Sequence, residues 1–328
     1  MSSRFHAELI NSPFGDPGLY VRFPHRGQAV LFDCGELHAL CPRDLLKIRV
    51  VFISHAHIDH VIGLDHLVRV FLPQDKLLCL CGPPDFIAQM HHRLGGYTWN
   101  LTRDYPLRLR LLEWGEEEFK ETFLSAKESF SPSPVRRIPA GPILYEDEHI
   151  RVRAEALAHR DIPSLAFRLE EPVRLGIDKQ ALREEGLEPG PWLSRLKESL
   201  LGPVPPDELL VRRSDGTSAS CPLPWLERRL VLRQEGTRLC YVTDASPCEN
   251  NHRKILELAR DVDLLAIEAT FPHQELERAR ARHHLTAHLS GHWAKEAGAR
   301  RLLLFHHSGK YAHTPQLLEQ EAVCAFKK

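Results

Sequence analysis

Four side chains able to ligate a metal fall within six positions, at His55-Ala56-His57-Ile58-Asp59-His60. Imidazoles with carboxylates and no thiolate suit Zn²⁺, and also Mn²⁺ or Fe. The run follows directly on Arg49-Val50-Val51-Phe52-Ile53-Ser54, a short apolar stretch of the kind buried on both faces of a sheet. If strand geometry persists past Ser54, His55 and His57 point the same way with Cα atoms ~6–7 Å apart, and can grip one cation. Asp59 and His60, neighbours in sequence, diverge and can serve a second cation beside the first. Two ions ~3.5–4 Å apart lower the pKa of bound water to near 7 and clamp a phosphoryl group for in-line attack. The chemistry this spacing offers is metal-assisted hydrolysis.

Such ligands need rigid elements around them. Gly18 to Phe23 and Gln28 to Asp33 read as strands around the turn Pro24-His25-Arg26-Gly27. Beyond the histidines, Leu64, Leu67, Val68 and Phe71 recur at i, i+3, i+4 and i+7, which predicts a helix from Val61 to Val70. Leu77 to Cys81 is a further buried strand, and Pro84 to Leu94 a helix with proline at its start. Stretches 129–134 and 138–142 have loop chemistry. Regular alternation resumes at Arg238, with strands over 239–243, 263–267 and 301–305 and helices over 250–259, 287–297 and after Pro315. Between Glu170 and Arg238, proline and glycine punctuate a stretch that holds one short helix, Trp192 to Leu200, and does not resemble core. It reads as an insertion projecting from the fold. Strands with intervening helices at both ends predict layered α/β sheets.

The chain has 328 residues, with 43 Lys+Arg against 44 Asp+Glu and a formal charge of −1. That length allows one large domain or two modest ones with a sizeable core. Hydrophobic residues at 43% and charged ones at 27% exclude disordered and collagen-like chains. Near-neutrality argues against a nucleic-acid-binding surface spread over the whole protein, while leaving room for a local basic patch. No apolar run approaches the ~18 residues needed to span a bilayer. Met1-Ser2-Ser3-Arg4-Phe5-His6 has no apolar stretch of a secretion signal, so a cytoplasmic protein without membrane attachment is expected. The 8 cysteines form no CxxC pair and read as reduced, small buried hydrophobes.

His-x-His-x-Asp-His after a strand resembles the metallo-β-lactamase superfamily, and within it the ribonuclease Z family. The resemblance implies an α/β fold, a four-layer αββα sandwich, over a single domain of residues 1–328 with 171–236 as an inserted arm-like segment. Leu31-Phe32-Asp33-Cys34-Gly35-Glu36 is similar to that family's early strand-turn. Phe167-Arg168-Leu169-Glu170-Glu171 and Leu187-Glu188-Pro189-Gly190-Pro191-Trp192 resemble the segment that becomes its tRNA-gripping arm. Ile267-Glu268-Ala269-Thr270 is similar to a His-Glu-Ala-Thr motif, His284-Leu285-Thr286 to His-Ser-Thr, and Leu304 to Tyr311 to the family's ending. Ile58 stands where the family has glycine, and Ile267 where it has histidine. Residues 178–213 carry 6 Lys/Arg against 7 Asp/Glu, whereas a tRNA clamp would be expected to be net positive.

By that resemblance, His159, Asp244 and His306, each after an apolar strand, complete the ligand set. It implies that His55, His57 and His159 bind one ion, that Asp59, His60 and His306 bind the other, and that Asp244 bridges. Two divalent ions are expected, Zn²⁺ first, with Mn²⁺ or Fe also suited. Asp59 would also orient the attacking hydroxide, and Glu268 with His284 would pass a proton to the leaving 3′ oxygen. The implied substrate is precursor tRNA, losing its 3′ trailer to a homodimer in which one subunit's arm serves the other's site. The alternative is a phosphodiesterase acting on a small cyclic nucleotide or another phosphoester. Lys310 and Tyr311, close to His306 in sequence, are candidates for phosphate contact.

Other residues divide between two readings. His288 and His292 form a solvated or capping face rather than a metal stripe. Arg278, Arg280 and Arg282 either touch phosphates or form the basic end of a helix. Tyr97 and Trp99 read as loop packing, with base stacking as the alternative.

Overall fold

Near-continuous apolar runs arise where a strand is covered on both faces, so that alternate side chains enter different cores. The computed structural model shows this division and describes residues 5–202 and 204–327. The reading of the amino terminus as free of a secretion signal rests largely on Met1–Arg4, which lie outside the described residues. The chain clusters into two units, residues 1–170 with 237–328, and Glu171–Gly236.

In the first unit one sheet holds β1 (His6–Leu9), β2 (Leu19–Phe23), β3 (Gln28–Phe32), β4 (Ile48–Phe52), β5 (Leu77–Gly82), β6 (Arg108–Glu113), β7 (Glu118–Ser125) and β8 (Arg136–Pro139), in sequence order. Strands β3 to β6 run parallel, and the rest pair antiparallel. A second sheet holds β9 (Tyr145–Glu146), β10 (Arg151–His159) and β11 (Ile162–Glu170), then β16 (Arg238–Val242), β17 (Leu264–Glu268) and β18 (Leu302–Phe305). In β3, Ala29 and Leu31 join a core with α3 (Leu64–Phe71) and α4 (Phe86–Gly95), while Val30 and Phe32 face the other sheet. In β16, Cys240 and Val242 pack on α8 (Glu249–Leu258), α10 (Ala287–Glu296) and α11 (Gln316–Lys327), while Leu239 and Tyr241 face inward. The result is helix, sheet, sheet, helix. This is the αββα sandwich.

Helix α3 buries Leu64, Leu67, Val68 and Phe71, the four positions its periodicity picked out. At its start, a Cβ on Gly63 would lie 2.1 Å from the Gly35 carbonyl oxygen, so only glycine lets the two loops meet there. That approach fixes the turn after β3 against α2 (Ile58–Val61), the turn carrying Asp59 and His60.

Several expectations need correction. The strand before the histidines ends at Phe52, two residues short of Ser54, and His57 is already the cap of α2. The β6–β7 hairpin has no counterpart in the sequence reading, and β8 runs two residues into the expected loop 138–142. Cysteines 34, 79, 81 and 240 are buried, but Cys41, Cys248 and Cys324 are exposed. Among the described residues no helix is long and apolar enough to cross a membrane.

The second unit corrects the reading of its segment as lacking a core. It holds α5 (Lys179–Glu184), α6 (Trp192–Leu201) and α7 (Leu223–Leu230), with the paired strands β12 (Arg174–Ile177) and β15 (Val231–Gln234), and β13 (Glu208–Arg212) and β14 (Ser218–Pro222). Leu182, Trp192, Leu196, Val211, Leu226 and Leu230 form its buried centre. Prolines that look like loop punctuation instead start helices, Pro191 before α6 and Pro224 in the first turn of α7. Asp178 caps α5, accepting the amide N–H of Gln180 at 2.9 Å and of Ala181 at 3.1 Å.

Candidate metal centre

Each candidate ligand stands where a strand of the first unit ends. His55 and His57 follow β4 with their ring centres 4.4 Å apart, and one helical turn sends Asp59 and His60 in different directions. His159 closes β10, Asp244 follows β16, Glu268 ends β17, and His306 follows β18. Asp33, Asp244 and His306 take φ values of 54°, 46° and 57°, in the left-handed region that non-glycine residues rarely occupy. Such strain persists only where surrounding structure holds it.

Asp244 is the centre of the arrangement. Its Oδ2 lies 3.5 Å from His55 Nε2 and 3.5 Å from His159 Nε2. Its Oδ1 lies 3.5 Å from His60 Nε2 and 3.3 Å from His306 Nδ1. These separations are long for hydrogen bonds. They match ligands around a shared ion, since donors 2.0–2.1 Å from a tetrahedral centre lie about 3.3–3.4 Å apart. His57 joins His55, His159 and Asp244 with all four ligand atoms within 4.8 Å of one another, and Asp59, His60 and His306 form a second such set. A third links Asp244, Glu268, His284 and His306. His55 Nε2, His60 Nε2 and His306 Nδ1 are buried without a hydrogen-bond partner, a costly state that cations would relieve. The donors fit divalent metal ions.

Behind the ligands stands a layer that the sequence reading did not assign. Asp33, fully buried, accepts from His60 Nδ1, Ser54 Oγ and Tyr241 OH, each at 2.8 Å, and from the Ser54 amide at 2.7 Å. Its hold on Nδ1 turns His60 Nε2 toward Asp244. His55 Nδ1 meets Ser54 Oγ at 3.1 Å, and His159 Nδ1 donates to the His283 carbonyl at 3.0 Å. These contacts fix tautomer and ring angle. The one sequence signal for Asp33 was its place in the early strand-turn.

Glu268 is equally enclosed. Its Oε1 accepts the Ala245 amide at 2.7 Å, and its Oε2 accepts from Thr270 Oγ1 at 2.7 Å and His284 Nδ1 at 2.9 Å. Burial pushes its carboxyl up, but His284 and His306 outweigh that and hold it down at about 2. For His284 burial acts downward, and the Glu268 carboxylate reverses it, so the imidazole is raised. Burial, with His60 beside it, drives His55 down to about 2, keeping it a neutral ligand. Asp59 stays ionised at about 2 because His306 and His60 overcome its burial.

None of the remaining candidates belongs to the ligand groups. Lys310 pairs with Glu275, and the Tyr311 side chain is buried. Arg278 pairs with Glu275 at 3.2 Å and Arg280 with Glu277 at 2.6 Å, while Arg282 is exposed. His292 lies 3.6 Å from Glu296, and the His288 ring is tilted against that of His273, 4.6 Å between centres. Trp99 donates to the Leu94 carbonyl at 2.7 Å and packs edge-on against Phe130, with Tyr97 beside it.

No profile of a known protein family matches the chain. A ribonuclease Z of Deinococcus radiodurans is 30% identical to it over 312 residues, covering 93% of this chain and 90% of that protein. The chain belongs to the ribonuclease Z family. A ribonuclease Z of Synechococcus sp. strain WH7803 is 33% identical over 300 residues, covering 89% of this chain and 79% of its own. Among solved structures, the metallo-β-lactamase fold protein YhfI from Bacillus subtilis has a TM-score of 0.53 at 16% identity, covering 95% of this chain and 86% of that one. That likeness shows the fold. A ribonuclease Z family member with this donor set is a metal-dependent hydrolase.

Proposed function

We propose that the protein is an endoribonuclease that removes the 3′ trailer from precursor tRNA, working through two divalent ions, Zn²⁺ first. The observation that carries the reading is the position of Asp244 between two pairs of histidines. One of its oxygens faces His55 and His159 and the other faces His60 and His306, all within 3.5 Å, in a ribonuclease Z family chain. Bound there, such ions supply Lewis-acid stabilisation of the phosphoryl oxygens and an activated water near neutral pH.

The chain's own residues do the rest. His55, His57 and His159 would hold one ion, Asp59, His60 and His306 the other, and Asp244 both. Asp59, half-exposed beside His306 at 3.5 Å, orients the attacking water. Glu268 keeps the His284 imidazole protonated on the side of the leaving group, so His284 hands a proton to the departing 3′ oxygen. We include in this proposal a cytoplasmic homodimer, with Glu171–Gly236 as the arm that engages the tRNA body, and Lys310 with Tyr311 near the substrate phosphates.

The test is cleavage of a 3′-extended precursor tRNA by the purified, metal-loaded protein. Cleavage next to the discriminator base, abolished by Asp59→Ala, is the expected result. Glu268→Ala should slow cleavage by about 10²–10⁴-fold with metal content kept, the usual share of a general acid. Hydrolysis of bis-p-nitrophenyl phosphate without cleavage of the precursor would remove tRNA as the substrate and leave the centre standing.

A further inference from the structure

The first unit holds a cavity of about 560 Å³ along the outer edge of β10. Strand β9 covers only Arg151 and Val152 of that edge, so from Arg153 onward it has no strand partner among the described residues. The β6–β7 turn, the stretch after β8 and helix α8 close the remaining sides. None of the metal-cluster residues lines it.

The lining defines a ligand. Arg153 Nε is buried without a hydrogen-bond partner, and its guanidinium makes no ion pair among the described residues. The acid two positions on, Glu155, is taken by Lys254 at 2.7 Å. Arg253, exposed at the rim, donates to Asn250 Oδ1 at 3.0 Å and forms no ion pair among the described residues. A half-buried guanidinium with nothing to neutralise it calls for an anion, and its planar fork matches phosphate oxygens. Trp114 and Phe119 give the cavity an aromatic wall, the surface on which a base stacks. Glu116 and Glu257 are exposed at the rim, and carboxylates there accept from an exocyclic amino group rather than from a keto oxygen. The volume lies within the range of small-ligand sites.

We propose that this cavity binds a nucleoside monophosphate unit with an amino-bearing base, the phosphate on Arg153 and Arg253 and the base against Trp114. The unit can be a free nucleotide or one residue of an RNA strand. The proposal stands apart from the nuclease reading, and a failure to cleave precursor tRNA would not touch it.

Calorimetric titration of the metal-loaded protein with AMP, IMP, adenosine and inorganic phosphate tests it. AMP should bind, and Arg153→Gln should weaken binding about tenfold or more, as expected for loss of a charge-assisted pair. Arg253→Gln, at an exposed position, should weaken it less. Trp114→Ala should weaken AMP but leave inorganic phosphate unchanged, and IMP should bind less well than AMP. Hydrolysis of bis-p-nitrophenyl phosphate by Arg153→Gln should equal that of the parent. A 5′-phosphorylated tetra-adenylate binding tighter than AMP assigns the site to RNA, and equal binding assigns it to the free nucleotide. The proposal is overturned if Arg153→Gln and Arg253→Gln bind AMP like the parent, or if adenosine binds as well as AMP.

Discussion

Around Asp244, charged and titratable groups face one another, most of them buried or half-buried; in the Glu171–Gly236 unit they lie outside an apolar centre. That unit carries 10 Lys/Arg against 11 Asp/Glu, and the pairs Arg212–Glu188, Arg229–Glu185 and Arg233–Glu227 sit on its surface. Exposed pairs of that kind contribute about 0–1 kcal/mol each. The unit is held by Leu182, Trp192, Leu196, Leu226 and their neighbours. In the metal centre the order is reversed. Desolvation of each group is offset by the next, from Asp33 through His60 to Asp244, so polar geometry is the structure there. One region is specified by chemistry and the other by packing.

Substitutions should separate the two. The largest effect belongs to Asp244→Ala, which removes the carboxylate whose one oxygen faces His55 and His159 and whose other faces His60 and His306. Hydrolysis of bis-p-nitrophenyl phosphate should fall more than about 10³-fold, because both roles of the ions are lost together. Asp33→Asn should follow. It leaves every ligand in place but loosens the hold on His60, and metal affinity measured by chelator competition should drop about 10–100-fold. A wild-type affinity in that variant would show that Ser54 and Tyr241 alone orient the ring.

Leu226→Ala probes the other side of the comparison. It should destabilise the Glu171–Gly236 unit by about 2–5 kcal/mol, read as increased hydrogen exchange there, with bound metal and small-phosphodiester hydrolysis unchanged. Loss of metal on this substitution would mean that the two regions are not separately specified.

The smallest effect concerns a surface pair. Burial pushes the Asp65 carboxyl up, but its two-point bond to Arg93, at 2.9 Å on each oxygen, wins and holds it below the ordinary range. Its stabilisation is therefore full above about pH 4 and fades as pH falls through the lowered value. With the carboxylate about a third exposed, Asp65→Asn should cost about 0.5 kcal/mol at pH 7 and less as pH falls through the lowered value, read as a Tm difference.

How much of this was legible follows the same division. His55, His57, Asp59 and His60 announce themselves because metal chemistry needs those residue types within a few positions. Asp244 and His306 could be sought only because the family resemblance asks for ligands after apolar strands, and nothing in the sequence signals their left-handed backbone. Asp33 stayed unassigned since its partner His60 is 27 positions away, a separation that only the folded sheet closes. The β6–β7 hairpin is hidden because the alternation Arg108-Leu109-Arg110-Leu111 stops after four residues, where Leu112 and the charged Glu113 are both buried. The core of the inserted unit was hidden for a different reason. Its apolar residues are scattered among prolines and glycines, and packing gathers them from three helices and a hairpin.

The measurement that bears most directly on the bridging site is metal stoichiometry by elemental analysis after purification in Zn²⁺, for the parent and for Asp244→Ala. Two equivalents per chain in the parent, falling below one in the variant, is the result this account predicts. A parent chain holding one equivalent or none, or a variant that keeps both, would contradict a shared two-ion centre built on Asp244.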